Sequence, residues 1–207
     1  MLVAHGGIDK TIDEIPIMNH ERYVELHSHS FYSFGEGASH VHELLDRAVE
    51  LEYPAIGLTD YNMCGALEFA RQAKSLGVRS LTGGELILSD GSHVVLLAKN
   101  RKGYSNISQL FTLANMSDRR NPHLDPIHIP SHSEGVVLLT GATQGTVSRL
   151  VSEGRVEDAE NKIQQYLDWF GHGSVFVELN RNFVYGDKAR TRTLYDLANR
   201  VLSLIHI

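Results

Sequence analysis

The chain has 207 residues, a formal net charge of −6 and one cysteine, and 42% of its residues are hydrophobic. That size and composition fit one globular domain with a sizeable core. Non-specific nucleic-acid binding depends on Lys and Arg side chains that neutralise phosphates, so the negative charge argues against a free-standing DNA-binding protein. Any contact with DNA is expected to be local or supplied by another domain.

Localisation and redox context also follow from the sequence. No apolar run approaches the roughly 20 residues that span a bilayer, and residues 1–19 lack a basic head followed by an apolar core. We therefore expect a cytoplasmic protein with no membrane partner. Cys64 alone can form neither an internal disulfide nor a cysteine-based zinc site. A bound metal must be held by histidines and carboxylates.

Residues 1–21 lack periodicity and are predicted to be a leader, followed by one domain over residues 22–201. The first predicted strand, about 22–28, ends in His27 and His29. Side chains two apart on a strand share a face, so the two imidazoles form half of a metal shell. Glu36 follows in a glycine-flanked loop and could fold back over them. A lone His-x-His is also compatible with a merely polar strand end.

The next elements alternate between helices and strands. Ser39 is the predicted N-cap of a helix that stops before Pro54, and a buried strand over 55–59 ends in the polar residues Asp60, Tyr61 and Asn62. A helix over about 64–76 follows. Strands 78–89 and 92–99 are joined by Asp90-Gly91, a strong hairpin signal.

Two chemically active side chains fall in that hairpin. Glu85 lies inside an apolar strand, where a carboxylate is costly to bury unless it is paired or ligates a cation. An edge-strand Glu that faces water is the alternative. His93 opens the second strand.

The remaining chain continues the alternation, with a helix at 102–116, a strand at 135–141, helices at about 144–153 and 156–170, a strand at 174–180 and a helix at 187–201. The loop over 117–134 carries His123, His128 and His132, which we interpret as surface residues because they lie among turn residues without regular spacing. Short apolar strands that alternate with helices predict a mainly parallel α/β fold, with a barrel as its natural closure.

Four segments together resemble the PHP (polymerase and histidinol phosphatase) family: residues 27–29, 59–62, 83–85 and 93–104. Residues 37–39 and 96–106 narrow the resemblance to the amino-terminal PHP domain of the bacterial DNA polymerase III alpha subunit and its error-prone relative. The similarity runs from about Tyr23 to Asn199. It implies a distorted (β/α)7, TIM-like barrel with metals at the carboxyl ends of the strands.

The resemblance also implies a set of metal ligands, namely His27, His29, Glu36, Glu85 and His93. Tyr61 and Ala142 stand where the family has His and, commonly, Cys. A phenol with its pKa near 10 is a poor ligand at neutral pH, and a methyl group is none. We therefore expect an incomplete site for zinc or manganese. Asp60 is a candidate catalytic residue.

The family's last ligand pair belongs to a strand after the 187–201 helix, and the sequence there is 202–207, Leu-Ser-Leu-Ile-His-Ile. This hexapeptide resembles a translated sequencing adapter, so we expect a non-native tail and a barrel that lacks its last strand. On this interpretation the rest of a polymerase is missing, including its magnesium-dependent part and its contacts with DNA and with replication or repair proteins.

Three functions remain open at this point. The first is a polymerase PHP domain with residual phosphodiesterase activity. The second is a free-standing PHP phosphoesterase, either histidinol-phosphatase-like or a nuclease. The third is a degenerate barrel that serves only as a scaffold. The segment 96–106 favours a polymerase domain, and Tyr61 and Ala142 favour its scaffold form over an active nuclease.

Overall fold

The computed structural model describes residues 23–201 and 204–206, so the predicted leader lies outside the described residues. Six helices are present in the described part: α1 (Val41–Glu50), α2 (Ala66–Leu76), α3 (Arg101–Ser117), α4 (Thr146–Ser152), α5 (Val156–Phe170) and α6 (Asp187–Arg200). None of the helices within these ranges has the length and hydropathy needed to cross a membrane.

The strands form one mixed sheet in chain order: β1 (Ala55–Leu58), β2 (Arg79–Ile87), β3 (His93–Ala98), β4 (Val136–Leu139), β5 (Val175–Glu178) and β6 (Leu204–His206). β3 runs antiparallel to β2 and β4, whereas the β1–β2, β4–β5 and β5–β6 pairs are parallel. The predicted hairpin is thus confirmed, and the α/β class is confirmed as a curled half-barrel.

Both faces of the sheet are buried, which explains why its central strand is an unbroken apolar run. Along β3, Val95 and Leu97 point to the inside of the curl, where they pack with Leu26, Leu139 and Phe176. The alternate residues Val94 and Leu96 face the larger core under α3, α4, α5 and α6. Helices α1 and α2 cover β1 with a smaller core of their own.

The predicted first strand is reduced to a single parallel bridge between Glu25 and Ile56. Two further backbone contacts hold the segment to β1, in which Gly57 N donates to Glu25 O at 2.6 Å and Thr59 N donates to Ser28 O at 2.9 Å. A regular ladder does not form because the backbone N–H of His27 donates to the side chain of Glu25, at 3.0 Å. The segment 23–30 is therefore irregular where it carries the histidines.

Two other boundaries differ from the sequence-based expectation. Helix α1 takes His40 as its N-cap in place of Ser39, because the Ser39 carbonyl accepts the Phe31 N–H at 2.8 Å and the His40 N–H donates to Glu43 Oε2 at 2.7 Å. Residues 204–206, within the expected tail, also form a strand, β6. Leu204–His206 pairs in parallel with residues 176–178, since β5 offers a free edge there.

Gly103, in the first turn of α3, lies close to the backbone of the residue that precedes β4. A Cβ atom at this position would lie 1.9 Å from the carbonyl oxygen of Gly135, which itself accepts the Lys99 N–H at 2.8 Å. The first turn of α3 can therefore approach β4 only without a side chain at residue 103.

We predict that Gly103→Ala destabilises the fold by about 1–3 kcal/mol, because overpacking outweighs the better helix propensity of alanine. Gly173→Ala is the control, since a Cβ there meets no heavy atom within 4 Å. Urea unfolding of both variants measures the difference. Equal midpoints for Gly103→Ala and the wild type would show that α3 can shift freely.

Candidate metal centre

A buried carboxylate, Glu85, is the meeting point of the site. Its side chain projects from β2 and is contacted by three histidines. His27 Nε2 lies 3.0 Å and His29 Nε2 2.8 Å from Glu85 Oε2, while His93 Nδ1 lies 2.5 Å from Oε1. The irregular segment 23–30, β2 and the start of β3 therefore converge on one carboxyl group.

The electrostatics follow from this packing. Burial alone would raise the pKa of Glu85, but hydrogen bonds with His27 and His93 and the close contact with His29 hold it well below its usual range. Burial alone would lower the pKa of His27, but its hydrogen bonds with Glu178 and Glu85 and the charges of those carboxylates raise it to about 10. Without a metal, the carboxylate is charged and His27 carries a proton at neutral pH.

The compact part of the cluster has the donor set of a divalent-cation site. One ligand atom from each of His27, His29 and Glu85 lies within 4.8 Å of the others. His29 supplies the clearest test of fit, because both of its buried ring nitrogens lack a hydrogen-bond partner. Its Nε2 is close to Glu85 without hydrogen-bond alignment. A bound cation would satisfy that nitrogen, and imidazole with carboxylate suits zinc or manganese.

The other two predicted ligands lie at different distances from this trio. His93 contacts the second oxygen of Glu85 and thus completes the ring of histidines. Glu36 is exposed, lines the same cavity and is not part of the compact trio. The fold therefore brings four of the five predicted ligands into contact, whereas Glu36 is an exposed residue of the cavity lining.

Asp60 contacts the residues that directly follow the two histidines of the first segment. Its buried carboxylate accepts the Ser30 N–H at 2.7 Å, the Ser30 hydroxyl at 2.6 Å and the Ser33 hydroxyl at 2.7 Å. These three bonds fix residues 30–33 immediately after His29. The geometry gives Asp60 a positioning contact; its catalytic role stays a prediction.

The two substituted positions border the centre. The Tyr61 ring stands edge-on to His29 at 5.0 Å and to His93 at 6.2 Å between centroids. Burial, together with the charges of Glu85 and Glu36, raises the pKa of Tyr61, so its phenol stays protonated. Ala142 lines the cavity in a left-handed conformation with φ of 46°, and its N–H donates to Glu178 Oε2 at 2.8 Å.

Glu178 belongs to the site, although the sequence indicated it only as the end of a strand. Its Oε1 lies 2.6 Å from His27 Nδ1. The available signal was a carboxylate at the end of a buried apolar strand, the same pattern that singled out residues 59–62. The partner of Glu178 lies 151 residues away, so no local pattern could reveal the contact.

The cluster opens into a cavity of about 500 Å³ whose rim includes Gln144, Asn180 and Arg181. Arg181 brings a permanent positive charge to a cavity otherwise rich in carboxylates. A second groove of about 580 Å³ runs along α3 and is lined by neither histidine nor carboxylate. The chemistry of the described residues is therefore concentrated in the first cavity.

Comparison with known proteins defines the class to which this arrangement belongs. The family model described as the PHP domain matches residues 25–182, and the chain belongs to that family. Its curated relatives include bacterial DNA polymerases. The error-prone DNA polymerase of Symbiobacterium thermophilum is 34% identical over 84% of this chain and 18% of its own length. The DNA polymerase III subunit alpha of Borreliella burgdorferi is 30% identical over 78% of this chain and 15% of its own.

A solved structure shows the same fold. A protein from Bifidobacterium adolescentis, assigned as a metal-dependent phosphoesterase, superposes with a TM-score of 0.62 at 14% identity, covering 89% of this chain and 85% of its own. The chain spans less than a fifth of the two polymerases named above. The chain thus corresponds to one PHP domain of much longer relatives.

The raised pKa of His27 predicts a pH dependence of stability for the metal-free chain. Between about pH 6.5, the ordinary pKa of the group, and about pH 10, the unfolded chain releases a proton that the folded chain retains. The stability contributed by His27 is therefore complete below this window and is lost as pH rises through it.

Urea midpoints measured in EDTA from pH 6 to 10 should fall less steeply for His27→Gln than for the wild type. His128→Gln, at an exposed position of the 117–134 loop, should keep the wild-type slope. An unchanged slope in His27→Gln would contradict the assigned ion pairs with Glu85 and Glu178.

The contacts of Asp60 predict that Asp60→Asn destabilises the fold by about 1–3 kcal/mol. The buried carboxylate accepts three hydrogen bonds, and the substitution replaces one of its acceptor oxygens with a donor NH2 group. Asp168→Asn, on an exposed position of α5, is the matched control. Chemical unfolding compares the two variants. If Asp60→Asn were as stable as the wild type, the positions of Ser30 and Ser33 would not depend on that carboxylate.

Proposed function

We propose that this chain is the amino-terminal PHP domain of a bacterial DNA polymerase, of the error-prone or replicative alpha-subunit type, which supports DNA synthesis and retains a reduced metal site of low phosphodiesterase activity. The curated relatives support the polymerase assignment. On this assignment the remainder of the protein would supply the magnesium-dependent polymerase chemistry, the main DNA contacts and those with replication or repair proteins. A cytoplasmic location belongs to the same proposal.

The observation that carries the reduced site is the position of Tyr61. Its protonated phenol ring packs against His29 and His93, in the place where the family resemblance calls for a ligating imidazole. At the other substituted position, where the family commonly has Cys, the side chain is the methyl group of Ala142, which cannot ligate a metal. A cation would therefore be held by His27, His29 and Glu85, with His93 supporting Glu85 from the other side.

A divalent cation bound there would act as a Lewis acid towards a phosphoryl oxygen and would lower the pKa of a water molecule. The chain's own residues supply the surroundings. Glu85 provides the buried negative charge, and the four carboxylates of the cavity disfavour an anion unless a cation is present. Arg181 is placed to attract the phosphate of a substrate at the rim.

We predict that Tyr61→His raises the metal content and tightens Mn²⁺ or Zn²⁺ binding by about 10–100-fold, the effect usually associated with one ligand or its support. The measurement is elemental analysis after dialysis, together with hydrolysis of a labelled single-stranded oligonucleotide. Tyr104→His, at an exposed position on α3, is the matched control and should bind as the wild type does.

Two results would contradict this proposal. Two or three tightly held metals in the wild-type chain, with brisk manganese-dependent hydrolysis, would show a complete phosphoesterase site. A source gene whose reading frame carries no polymerase sequence beyond Val201 would favour a free-standing PHP phosphoesterase.

A further inference from the structure

Glu178 makes side-chain contacts in addition to the backbone pairing of β5. It is 6% exposed and ends β5, where its backbone N–H donates to the Thr140 hydroxyl at 3.0 Å. Both carboxylate oxygens are engaged, Oε1 with His27 Nδ1 at 2.6 Å and Oε2 with the Ala142 N–H at 2.8 Å. A buried carboxylate bound on both oxygens is held in one orientation.

The contact with His27 determines which ring nitrogen faces the centre. Nδ1 points to Glu178, and Nε2 lies 3.0 Å from Glu85. A carboxylate at Nδ1 keeps the proton on that nitrogen, which leaves the lone pair of Nε2 for a cation beside Glu85. Glu178 and Glu85 therefore approach opposite edges of one imidazole.

The contact with Ala142 links Glu178 to the opposite side of the centre. Ala142 begins a turn that is packed against the backbone of His93, since a Cβ on Gly141 would lie 2.2 Å from the His93 carbonyl oxygen. Gly145 at the end of the turn forms a bridge with His93. One carboxylate thus contacts His27 directly and supports the turn that packs on His93.

We propose that Glu178 is a positioning residue of the metal centre, which holds His27 with its proton on Nδ1 and keeps the 141–145 turn in place, without itself ligating the cation. Its Oε1 contacts the His27 nitrogen on the ring edge opposite Glu85, its Oε2 accepts the Ala142 N–H, and it lies outside the compact trio of His27, His29 and Glu85. This inference rests on the proposed metal site and goes beyond it by naming a residue that controls the affinity of the site.

The test is Zn²⁺ titration of the metal-free 207-residue chain against a competing chelator, with the wild type, Glu178→Gln and Glu178→Ala. We expect Glu178→Ala to lower the affinity for Zn²⁺ by about 10–100-fold at unchanged stoichiometry. The amide oxygen of Glu178→Gln can still accept the Nδ1 proton, but its NH2 group then faces the Ala142 N–H, so the affinity of that variant should lie between those of the wild type and Glu178→Ala. Glu157→Gln, on an exposed position at the start of α5, is the control and should match the wild type.

A second readout separates positioning from general loss of structure. In ¹⁵N NMR spectra of the zinc-loaded chain, the Nδ1–H of His27 should be visible and slow to exchange in the wild type and in Glu178→Gln. In Glu178→Ala the same proton should exchange rapidly, and shifts of backbone resonances should be confined to the 141–145 turn and the residues packed on it.

The possible outcomes distinguish this inference from the proposed function. Absence of Zn²⁺ binding by the wild type would overturn the proposed metal site and this inference with it, and would leave the polymerase assignment untouched. Zn²⁺ binding by the wild type with unchanged affinity in Glu178→Ala would overturn the positioning role alone. Equal loss of affinity in Glu178→Gln and Glu178→Ala would show that an acceptor for the Nδ1 proton does not set the affinity, and would likewise overturn it.

Discussion

The ring of three histidines around one buried carboxylate is the constraint on which the other features depend. A charged Glu85 inside the curl would be unstable without partners, because removing a carboxylate from water costs several kcal/mol. His27 and His29 supply partners from the irregular segment 23–30, and His93 supplies one from β3, the strand paired with that of Glu85. The same contacts that stabilise the buried charge therefore assemble a metal-binding donor set.

Local chemistry made much of the fold predictable. The apolar stripe of α5 gave its bounds directly, and Asp90-Gly91 identified the β2–β3 hairpin, because helix periodicity and turn residues are properties of neighbouring positions. The first strand could not be recognised as irregular, since its ladder is interrupted by a side-chain contact between Glu25 and the His27 backbone. The pairing of β6 depends on a free edge that only the assembled sheet displays.

The residues of the candidate site were likewise predictable only in part. His27, His29, Glu85 and His93 could be identified from the sequence because their residue types and strand positions agree with the family resemblance, and they lie together in the structure. Glu178 and the contacts of Asp60 with the serines could not be identified from the sequence. Both depend on how side chains far apart in the chain are oriented in the folded protein. The close approach of the Tyr61 ring to the histidines likewise appears only in three dimensions.

The separation of 151 residues between His27 and Glu178 has a consequence for biosynthesis. Because the chain emerges from the ribosome amino terminus first, His27, His29, Glu85 and His93 are all available long before β5 is made. During that interval the early histidines lack the carboxylate that orients them, and contacts between such distant residues form slowly. On the proposed role of Glu178, the site would reach its full affinity for a metal only after Glu178 has left the exit tunnel and β5 has joined the sheet.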